Sequence, residues 1–265
     1  MVRDALAAAA ERLSAAGCGS PRLDAELLLG EVLSLDRAGL VLAADAEVGD
    51  RDAAAFEALV VRREAREPVA YILGRRGFRH LELHVDARVL IPRPETELLV
   101  EVGLELPRGA RVVDVGTGSG AVALALKHER PDLDVTGTDV SAQAVAVARA
   151  NAERLGLDVA FREADLLDGA YDAVLANVPY VEAEDHAILA PEIAVHEPRL
   201  AVVADGGGLA LIRRLVAQLG ATPLAALEVG LAQEERVAEL LRDAGYETAT
   251  RRDLAGIERV VVGRR

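Results

Sequence analysis

The sequence predicts an α/β protein with a mostly parallel sheet, preceded by a small all-helical domain. Two patterns carry this prediction. From Arg111 onward, short apolar runs alternate with helical stretches, which is typical of a parallel sheet covered by helices on both faces. Up to Arg66, by contrast, the only proline is Pro21, and the segment is dense in Ala, Leu, Arg and Glu, which favour helices.

The helical domain contains two recognisable helix starts. Ser20 followed by Pro21 predicts an N-cap with proline at the first helical position. The apolar residues that follow at helical spacing are expected to share one buried face: Leu23, Leu27, Leu28 and Val32. Asp50 is expected to cap a later helix around Phe56.

Beyond residue 68 the pattern changes to shorter apolar pieces, which predict a β-hairpin between two domains. Apolar residues alternate over 81–85, and Asp86 is a turn candidate before the apolar run 89–91. The chain is therefore divided into a helical domain (1–72), a linker hairpin (73–92) and an α/β domain (93–265).

Strands and helices are expected to alternate along the α/β domain. The predicted strands are 112–115, 135–138, 159–162, 173–176, 224–229 and 259–262. The predicted helices are 121–127, 142–154, 209–219 and 237–241. Open sheets of this kind bind ligands beyond the carboxyl ends of their strands, so functional residues are expected in the loops that follow the strands.

The composition favours a globular protein and disfavours a nucleic-acid partner. The 265 residues are 51% hydrophobic, enough to build a core and to exclude disorder. Lys and Arg number 30 against 44 Asp and Glu, a net charge of -14, so the chain gains nothing from counterion release on a phosphate backbone. Aromatic residues make up 3%, which leaves few platforms for stacking exposed bases. We expect no direct binding of nucleic acid.

The sequence also indicates a cytoplasmic protein without membrane contact. No apolar run approaches the ~18 residues of a membrane span, and the amino terminus lacks the continuous apolar core of a signal peptide. Cys18 is the only cysteine and cannot form an internal disulfide. The five histidines are scattered, so we expect no metal site. No pattern indicates an oligomer, and we expect a monomer.

A glycine-rich turn follows the first predicted strand and precedes a predicted helix. Its glycines allow a ligand to approach the backbone closely, and the free amides at the helix start suit polar or anionic groups. Gly116, Gly118 and Ala121 also satisfy the dinucleotide fingerprint, with Asp139 about 20 residues beyond, where an acid would bind ribose hydroxyls. An NAD-dependent oxidoreductase therefore remains open at this point, as does a turn with a purely structural role.

Two details favour S-adenosylmethionine over a dinucleotide. Asp114 ends the first strand directly under the glycines, where a carboxylate would repel a pyrophosphate but could bind the ammonium of a methionine moiety. Asp139 can accept from both ribose hydroxyls. Asp165 and Leu166, after the third strand, can offer adenine an acceptor and an apolar face, although Asp165 could instead be an ordinary surface residue.

The loop Asn177-Val178-Pro179-Tyr180 follows the predicted strand 173–176. It resembles the Asn-Pro-Pro-Tyr loop of methyltransferases that act on planar nitrogen, although the same residues could also form an ordinary turn. An amide nitrogen is a poor nucleophile that no ordinary side-chain base can deprotonate, so positioning must supply most of the catalysis. The side-chain oxygen of Asn177 and the carbonyl of Val178 can each accept one N–H, while Tyr180 packs against the planar group.

Val178 departs from that loop, because the resembled family has its first proline there. The carbonyl acceptor is unaffected, and Pro179 still favours extended backbone at Val178. The substitution loses the locked φ angle, at a cost of ~0.4–1 kcal/mol in preorganisation. We expect activity to be retained.

Further blocks resemble the release factor glutamine methyltransferases, the PrmC/HemK family. The resemblance spans nearly the whole chain, beginning with residues 67–74, Phe78 and the proline-rich run 90–97. It continues through the glycine loop and the Asn177 loop to three later blocks: His196-Glu197-Pro198, Glu228-Val229-Gly230 with Gln233, and 253–256 before Arg259. These enzymes methylate the glutamine of the Gly-Gly-Gln motif in class 1 peptide chain release factors, using S-adenosylmethionine.

The resemblance implies a fold and a set of site residues. The fold is a Rossmann-like S-adenosylmethionine-dependent methyltransferase sheet with a helical substrate-recognition domain at the amino terminus, joined by a β-hairpin. The implied cofactor contacts are Gly116, Thr117, Gly118, Ser119, Gly120, Asp139, Leu166 and Asn177, and the positions of Asp114 and Asp165 after their strands add these two to the expected cofactor site. The implied substrate contacts are Asn177, Val178, Pro179 and Tyr180, the catalytic loop, with Pro94, Glu95 and Thr96 at the site mouth. The run Pro92 to Glu97, which contains these three residues, could instead form a rigid interdomain connector in which Pro94 starts a helix.

Three other functions remain open on the sequence. An adenine-N6 methyltransferase acting on DNA or RNA would use the same Asn-X-Pro-Tyr loop, but the acidic composition disfavours it. An NAD-dependent oxidoreductase would use the same glycine loop. A non-catalytic adaptor would require Asn177 to be dispensable.

One locally basic stretch stands out in this acidic chain. Its members are Arg62, Arg63, Arg66, Arg75, Arg76 and Arg79. Release factors could dock there, but a solvated helix face is the favoured interpretation.

Overall fold

The computed structural model describes residues 1–204 and 208–265, which fall into two compact units. The first comprises Met1–Arg75 together with Ala190–His196, and the second comprises Arg76–Leu189 and Glu197–Arg265. The segment Ala190–His196 was placed in the α/β domain by the division made from sequence. Within the described ranges, no helix is both long and apolar enough to cross a membrane.

The first unit is helical, as its composition predicts. Its helices are α1 (Val2–Ala15), α2 (Pro21–Leu33), α3 (Arg37–Leu42), α4 (Asp50–Glu64) and α5 (Val69–Leu73), with a π-helical turn at Glu192–His196. Leu13, Leu28 and Leu29 are fully buried at the centre of its core.

The N-cap at Ser20 with Pro21 at the first helical position is confirmed, although the Ser20 side chain makes no capping hydrogen bond. Two other local expectations for this unit were wrong. Leu23 and Leu27 are exposed rather than buried, because the buried face of α2 is rotated toward Leu28 and its neighbours. Asp50 is the first residue of α4, and Gly49 is the N-cap.

Two members of the basic stretch, Arg63 and Arg66, form ion pairs within the first unit, whereas Arg62 and Arg75 are exposed. Arg63 is buried and donates to Asp24 at 2.8 Å, and its Nη2 lies 2.7 Å from Glu192. Arg66 donates to the same Glu192 carboxylate at 2.6 Å. The sequence could not reveal this, because the acidic partners lie far along the chain from the arginines.

The predicted linker hairpin exists, but its position was wrong. Strand β1 (Arg75–Phe78) pairs with β2 (Leu81–His84) in a two-stranded sheet. The turn therefore lies at residues 79–80 rather than at Asp86, and the apolar run 89–91 is not a strand. Arg79 has a φ of 48°, and its guanidinium pairs with Glu129.

A seven-stranded sheet forms the second unit, in the order β5-β4-β3-β6-β7-β9-β8. Its strands are β3 (Arg111–Val115), β4 (Asp134–Asp139), β5 (Ala160–Glu163), β6 (Ala173–Ala176), β7 (Leu224–Glu228), β8 (Glu247–Arg252) and β9 (Glu258–Arg264). The first five in this order are parallel, and β9 and β8 are antiparallel additions. Strand β8 was missed, because its sequence is polar and half-exposed, as befits a strand at the sheet edge.

Helices cover both faces of the sheet. They are α6 (Glu97–Leu104), α7 (Ala121–Glu129), α8 (Ala142–Leu155), the short α9 (Arg199–Val202), α10 (Ala210–Gln218) and α11 (Glu234–Asp243), with 3₁₀ turns at Pro94–Thr96 and Asp185–Ile188. Val112 joins the core cluster containing α6 to α8, and its neighbour Val113 joins the cluster containing α10 and α11. Adjacent strand residues are thus buried on opposite faces, which explains the continuous apolar runs in the sequence.

The strand order reverses at β3. From β3 the chain proceeds outward through β4 and β5, and then returns to place β6 and β7 on the other side. The carboxyl ends of β3, β4 and β6 consequently diverge into a crevice, the position at which open α/β sheets bind their ligands.

Candidate active site

A cavity of about 320 Å³ lies at this edge of the sheet. It is lined by the glycine loop, by the ends of β4 and β6, and by segments after them, including Gly116, Gly118, Asp139, Leu166, Asn177 and Val178. A second cavity of about 50 Å³ lies beside it, lined by Thr96, Asp114, Thr117, Ser119 and Asn177 among others. Asn177 and the glycine loop line both cavities, so the two cavities adjoin at the residues predicted to bind the cofactor and the substrate.

The glycine loop is held tightly between its neighbours. The amides of Gly116 and Thr117 both donate to the carbonyl of Thr138 at 2.9 Å. Gly116 has a φ of 73°, and a Cβ there would approach the carbonyl oxygen of Asn177 to 2.9 Å. Glycine is therefore required at 116 for both the backbone conformation and the close contact with the Asn177 loop.

Asp114 lies beneath the glycine loop with its carboxylate almost completely buried. Oδ2 accepts from the Thr117 hydroxyl at 2.6 Å and from the Ala123 amide at 3.2 Å. Burial nevertheless raises the pKa of Asp114 to about 6, because these two donors offset only part of the lost hydration. Among the described residues no basic side chain forms an ion pair with Asp114, and the buried hydroxyl of Ser119 has no hydrogen-bond partner.

Asp139 has the geometry expected of a ribose ligand. Oδ2 accepts from the Gly118 amide at 3.0 Å and Oδ1 from the Ser141 amide at 2.9 Å. These two bonds fix the carboxylate at the cavity wall, and each oxygen keeps further acceptor capacity for one hydroxyl of a diol. Burial raises the pKa of Asp139 as well.

Leu166 and Asp165 form another part of the cavity wall. Leu166 is buried, and its φ of 72° is unusual for a branched residue. Its carbonyl accepts from the Thr138 hydroxyl at 2.8 Å, which holds the turn in place. The carboxylate of Asp165 is exposed and accepts from Arg214 at 2.5 Å, so Arg214 competes for the acceptor that was expected to bind adenine.

The Asn177 loop is held by side chains from two other segments of the chain. The Nδ2 of Asn177 donates to the Thr96 hydroxyl at 3.1 Å. Gln233 donates from Nε2 to the carbonyl of Tyr180 at 3.1 Å and accepts from the Gly230 amide at 2.9 Å. Burial raises the pKa of Tyr180 to about 12, so its ring remains neutral and serves as a packing surface.

The remaining predicted site residues lie near the two cavities without lining them. Pro94 starts a 3₁₀ turn, Pro94–Thr96, which confirms it as a helix start and carries Thr96 to the smaller cavity. Glu95, Gly120 and Tyr180, like Pro94, line neither cavity. Gly120 is the N-cap of α7, with a φ of 84°.

Several residues of the site were not singled out from the sequence. Arg93, within the proline-rich run expected at the site mouth, lines the smaller cavity and donates to the buried carboxylate of Glu197 at 2.5 Å. Leu211 and Arg214 of α10 line the larger cavity, as does Pro198. The block containing Glu197 and Pro198 was noted for its resemblance, whereas nothing in the helical pattern of α10 distinguishes the residues that face a ligand.

Comparisons with known proteins agree with this arrangement. Residues 4–74 match the family model described as the PrmC N-terminal domain, and residues 94–237 match the Methyltransferase small domain. A release factor glutamine methyltransferase of Rhodospirillum rubrum is 42% identical over 96% of this chain and 82% of that protein. One of Deinococcus radiodurans is 42% identical over 100% of this chain and 98% of that protein.

Solved structures share the fold at low sequence identity. The hMettl16 catalytic domain in complex with a MAT2A 3′UTR hairpin superposes with a TM-score of 0.58 at 18% identity, covering 81% of this chain and 82% of that one. A methyltransferase from Pyrococcus furiosus gives 0.54 at 16% identity, covering 78% and 96%. These likenesses support the Rossmann-like methyltransferase fold.

Proposed function

The chain belongs to the release factor glutamine methyltransferases, and from this premise we propose that its substrate is the glutamine of the Gly-Gly-Gln motif in class 1 peptide chain release factors. It is an S-adenosylmethionine-dependent protein-glutamine methyltransferase, as its full-length relatives and its methyltransferase domain show. The observation that carries the proposed chemistry is the juxtaposition of the Asn177 loop and the glycine loop around one cavity.

The cofactor-binding residues fit S-adenosylmethionine. Asp114 offers a buried carboxylate without a counterion, and Ser119 offers a buried hydroxyl without a hydrogen-bond partner. An ammonium group could pair with both. Asp139 suits a ribose diol, and Leu166 gives the apolar wall for a base. The bound cofactor supplies an electrophilic methyl group on a sulfonium centre.

The substrate amide is held by acceptors on the Asn177 loop. Asn177 Oδ1 and the carbonyl oxygen of Val178 each accept one N–H of the glutamine side chain. The two acceptors would hold the nitrogen in place for methyl transfer and stabilise the positive charge that develops on it, until one proton leaves to water. Val178 itself is buried, which supports a rigid carbonyl at this position despite the missing proline.

The domain organisation and cellular context extend the same proposal. We assign substrate recognition to the helical domain (1–72), connection to the hairpin (73–92) and catalysis to 93–265. The enzyme acts in the cytoplasm as a monomer, and its net charge of -14 argues against direct binding of nucleic acid.

One labelling experiment tests the substrate. The enzyme is incubated with methyl-labelled S-adenosylmethionine and a recombinant class 1 release factor, its Gly-Gly-Ala variant, or DNA and RNA. We expect label on the wild-type release factor alone. Label on nucleic acid, or equal label on the Gly-Gly-Ala variant, would refute the proposal.

Two further measurements separate the alternatives. S-adenosylhomocysteine is expected to raise the melting temperature while NAD does not, which would exclude the oxidoreductase. Asn177→Ala is expected to lower kcat at least 100-fold, the scale of removing one charge-stabilising group. An adaptor without catalytic function would leave methylation insensitive to this substitution.

A further inference from the structure

Glu228 is a buried carboxyl group behind the active site that no step above uses. It ends β7, next to the strand that leads into the Asn177 loop, and only 2% of the residue is exposed. A hydrogen bond from the Thr96 side chain favours the ionised form of Glu228, while Oε2 has no partner. Glutamate is rarely buried in this way without a counterion, so its presence calls for a reason.

The nearest cations are engaged elsewhere. Arg93 donates to Glu197 at 2.5 Å, and Arg259 donates to Asp253 at 3.0 Å. Both are close enough to favour the ionised form of Glu228, but among the described residues neither forms an ion pair with it. Among the described residues, the neutral Thr96 hydroxyl is therefore the one hydrogen-bond donor that acts on the Glu228 side chain.

That hydroxyl also contacts the catalytic asparagine. Thr96 has a single hydroxyl proton, and donating it to Glu228 leaves only lone pairs on Oγ1. Asn177 must then present its Nδ2 to Thr96, and the structure has this bond at 3.1 Å. The two ends of an asparagine amide have nearly the same shape, so a partner of defined polarity is what distinguishes them.

The orientation of Asn177 decides which end of the substrate amide can bind. With Nδ2 on Thr96, Oδ1 faces the opposite way and joins the carbonyl of Val178 as a second acceptor. Two acceptors match an amide –NH₂ group. A flipped Asn177 would present a donor, which would repel the –NH₂ group and attract the substrate carbonyl oxygen instead.

We propose that Glu228 is a positioning residue that acts through Thr96 to hold Asn177 Oδ1 toward the substrate, so that the nitrogen end of the glutamine amide is selected for methyl transfer. The relay rests on the proposed function for its substrate. It does not require Glu228 to touch the substrate or the cofactor. Its effect is expected on kcat, because a misoriented amide binds without reacting.

Kinetics of paired variants test the relay. Thr96→Val removes the hydroxyl at nearly constant volume and is expected to lower kcat at least ten-fold, with the affinity for S-adenosylhomocysteine within three-fold of wild type. Thr96→Ser restores the hydroxyl and is expected to recover most of kcat. Glu228→Gln keeps an acceptor for Thr96 and is expected to be at least five-fold more active than Glu228→Met.

A matched control is available on the outer strands. The Thr250 hydroxyl donates to Glu258 at 3.0 Å between β8 and β9, the same kind of bond away from the cavities. Thr250→Val is expected to retain wild-type kcat. If Thr96→Val also retained wild-type kcat while the wild-type enzyme methylated the release factor, the relay would be wrong and the proposed function would stand.

A second measurement tests the orientation without any substrate. The chain has two asparagines, Asn151 and Asn177, so selective ¹⁵N-asparagine labelling gives two side-chain amide signals. We expect the Asn177 –NH₂ protons to exchange slowly in the wild type, faster in Thr96→Val and slowly again in Thr96→Ser. Unchanged exchange in folded Thr96→Val would overturn the relay even if the release factor proved not to be the substrate.

Discussion

The buried carboxyl of Glu228 makes stability depend on pH in a way that can be measured. Burial raises its pKa from the ordinary 4.5 to about 7, despite the Thr96 hydroxyl and the positive charges of Arg93 and Arg259. The negative charge of Glu95 acts in the same direction as burial. The difference between the pKa of 4.5 and the pKa of about 7 in the folded protein corresponds to about 3 kcal/mol. The free energy of unfolding falls by this amount once Glu228 is ionised in both states.

The sign follows from proton binding in the two states. Between pH 4.5 and 7 the folded protein holds this proton more tightly than the unfolded chain, so the contribution of Glu228 to stability falls as pH rises. Below this window both states are protonated, and above it both are ionised. Glu228→Gln cannot ionise, so the stability of the variant relative to wild type should increase by ~2 kcal/mol between pH 5.5 and 8.5.

Urea unfolding of both proteins at several pH values, without cofactor, measures this difference. Only the change of this stability difference with pH is interpreted. Replacing the carboxyl group of Glu228 by an amide also alters hydrogen bonding, but by an amount that does not depend on pH. Glu163→Gln, an exposed glutamate on β5, controls for the loss of one charge and is expected to show a much smaller trend. A stability difference for Glu228→Gln that stays constant across this range would refute the assigned burial.

Three further substitutions test other parts of the structure. Gly116→Ala places a Cβ 2.9 Å from the Asn177 carbonyl at a φ of 73°, so calorimetry should show weakened S-adenosylhomocysteine binding, whereas Gly77→Ala, with nothing within 4 Å, should bind normally. Arg63→Met should lower the free energy of unfolding in urea by about 3–5 kcal/mol, because two acidic partners lose their buried cation; a loss below about 1 kcal/mol would contradict that pairing. Asn151→Leu removes three backbone hydrogen bonds of a fully buried side chain and should cost at least ~1–3 kcal/mol in thermal unfolding; an unchanged midpoint would show that these bonds are unimportant.

The sequence was most informative where the signal is local. The glycine loop, Asp139 and the Asn177 loop were predicted from short runs of residues, and the structure brings them to one cavity. Such predictions succeed because strand ends, turns and helix starts depend on neighbouring residues, and parallel strands bring their carboxyl ends to one edge.

The errors arose where a local pattern fitted more than one arrangement. The hairpin was placed around Asp86 because apolar alternation continues to Val85, but pairing with β1 ends at His84. Strand β8 has no apolar run, and its pairing partner β9 alone defines it. Leu23 and Leu27 have helical spacing, yet the packing of α2 selects a different face.

By itself, the sequence determined the fold class, the family and the residue types that perform the chemistry. Tertiary structure alone decided how those residues are supported: Thr96 and Asn177 are 81 positions apart and meet only because the 3₁₀ turn at Pro94–Thr96 packs beside the end of β6. The buried partner of that pair, Glu228, comes from yet another strand. The structure of a turn or loop depends mainly on consecutive residues. Burial, pKa values and the direction of a chain of hydrogen bonds depend instead on which distant segments the packed sheet brings together.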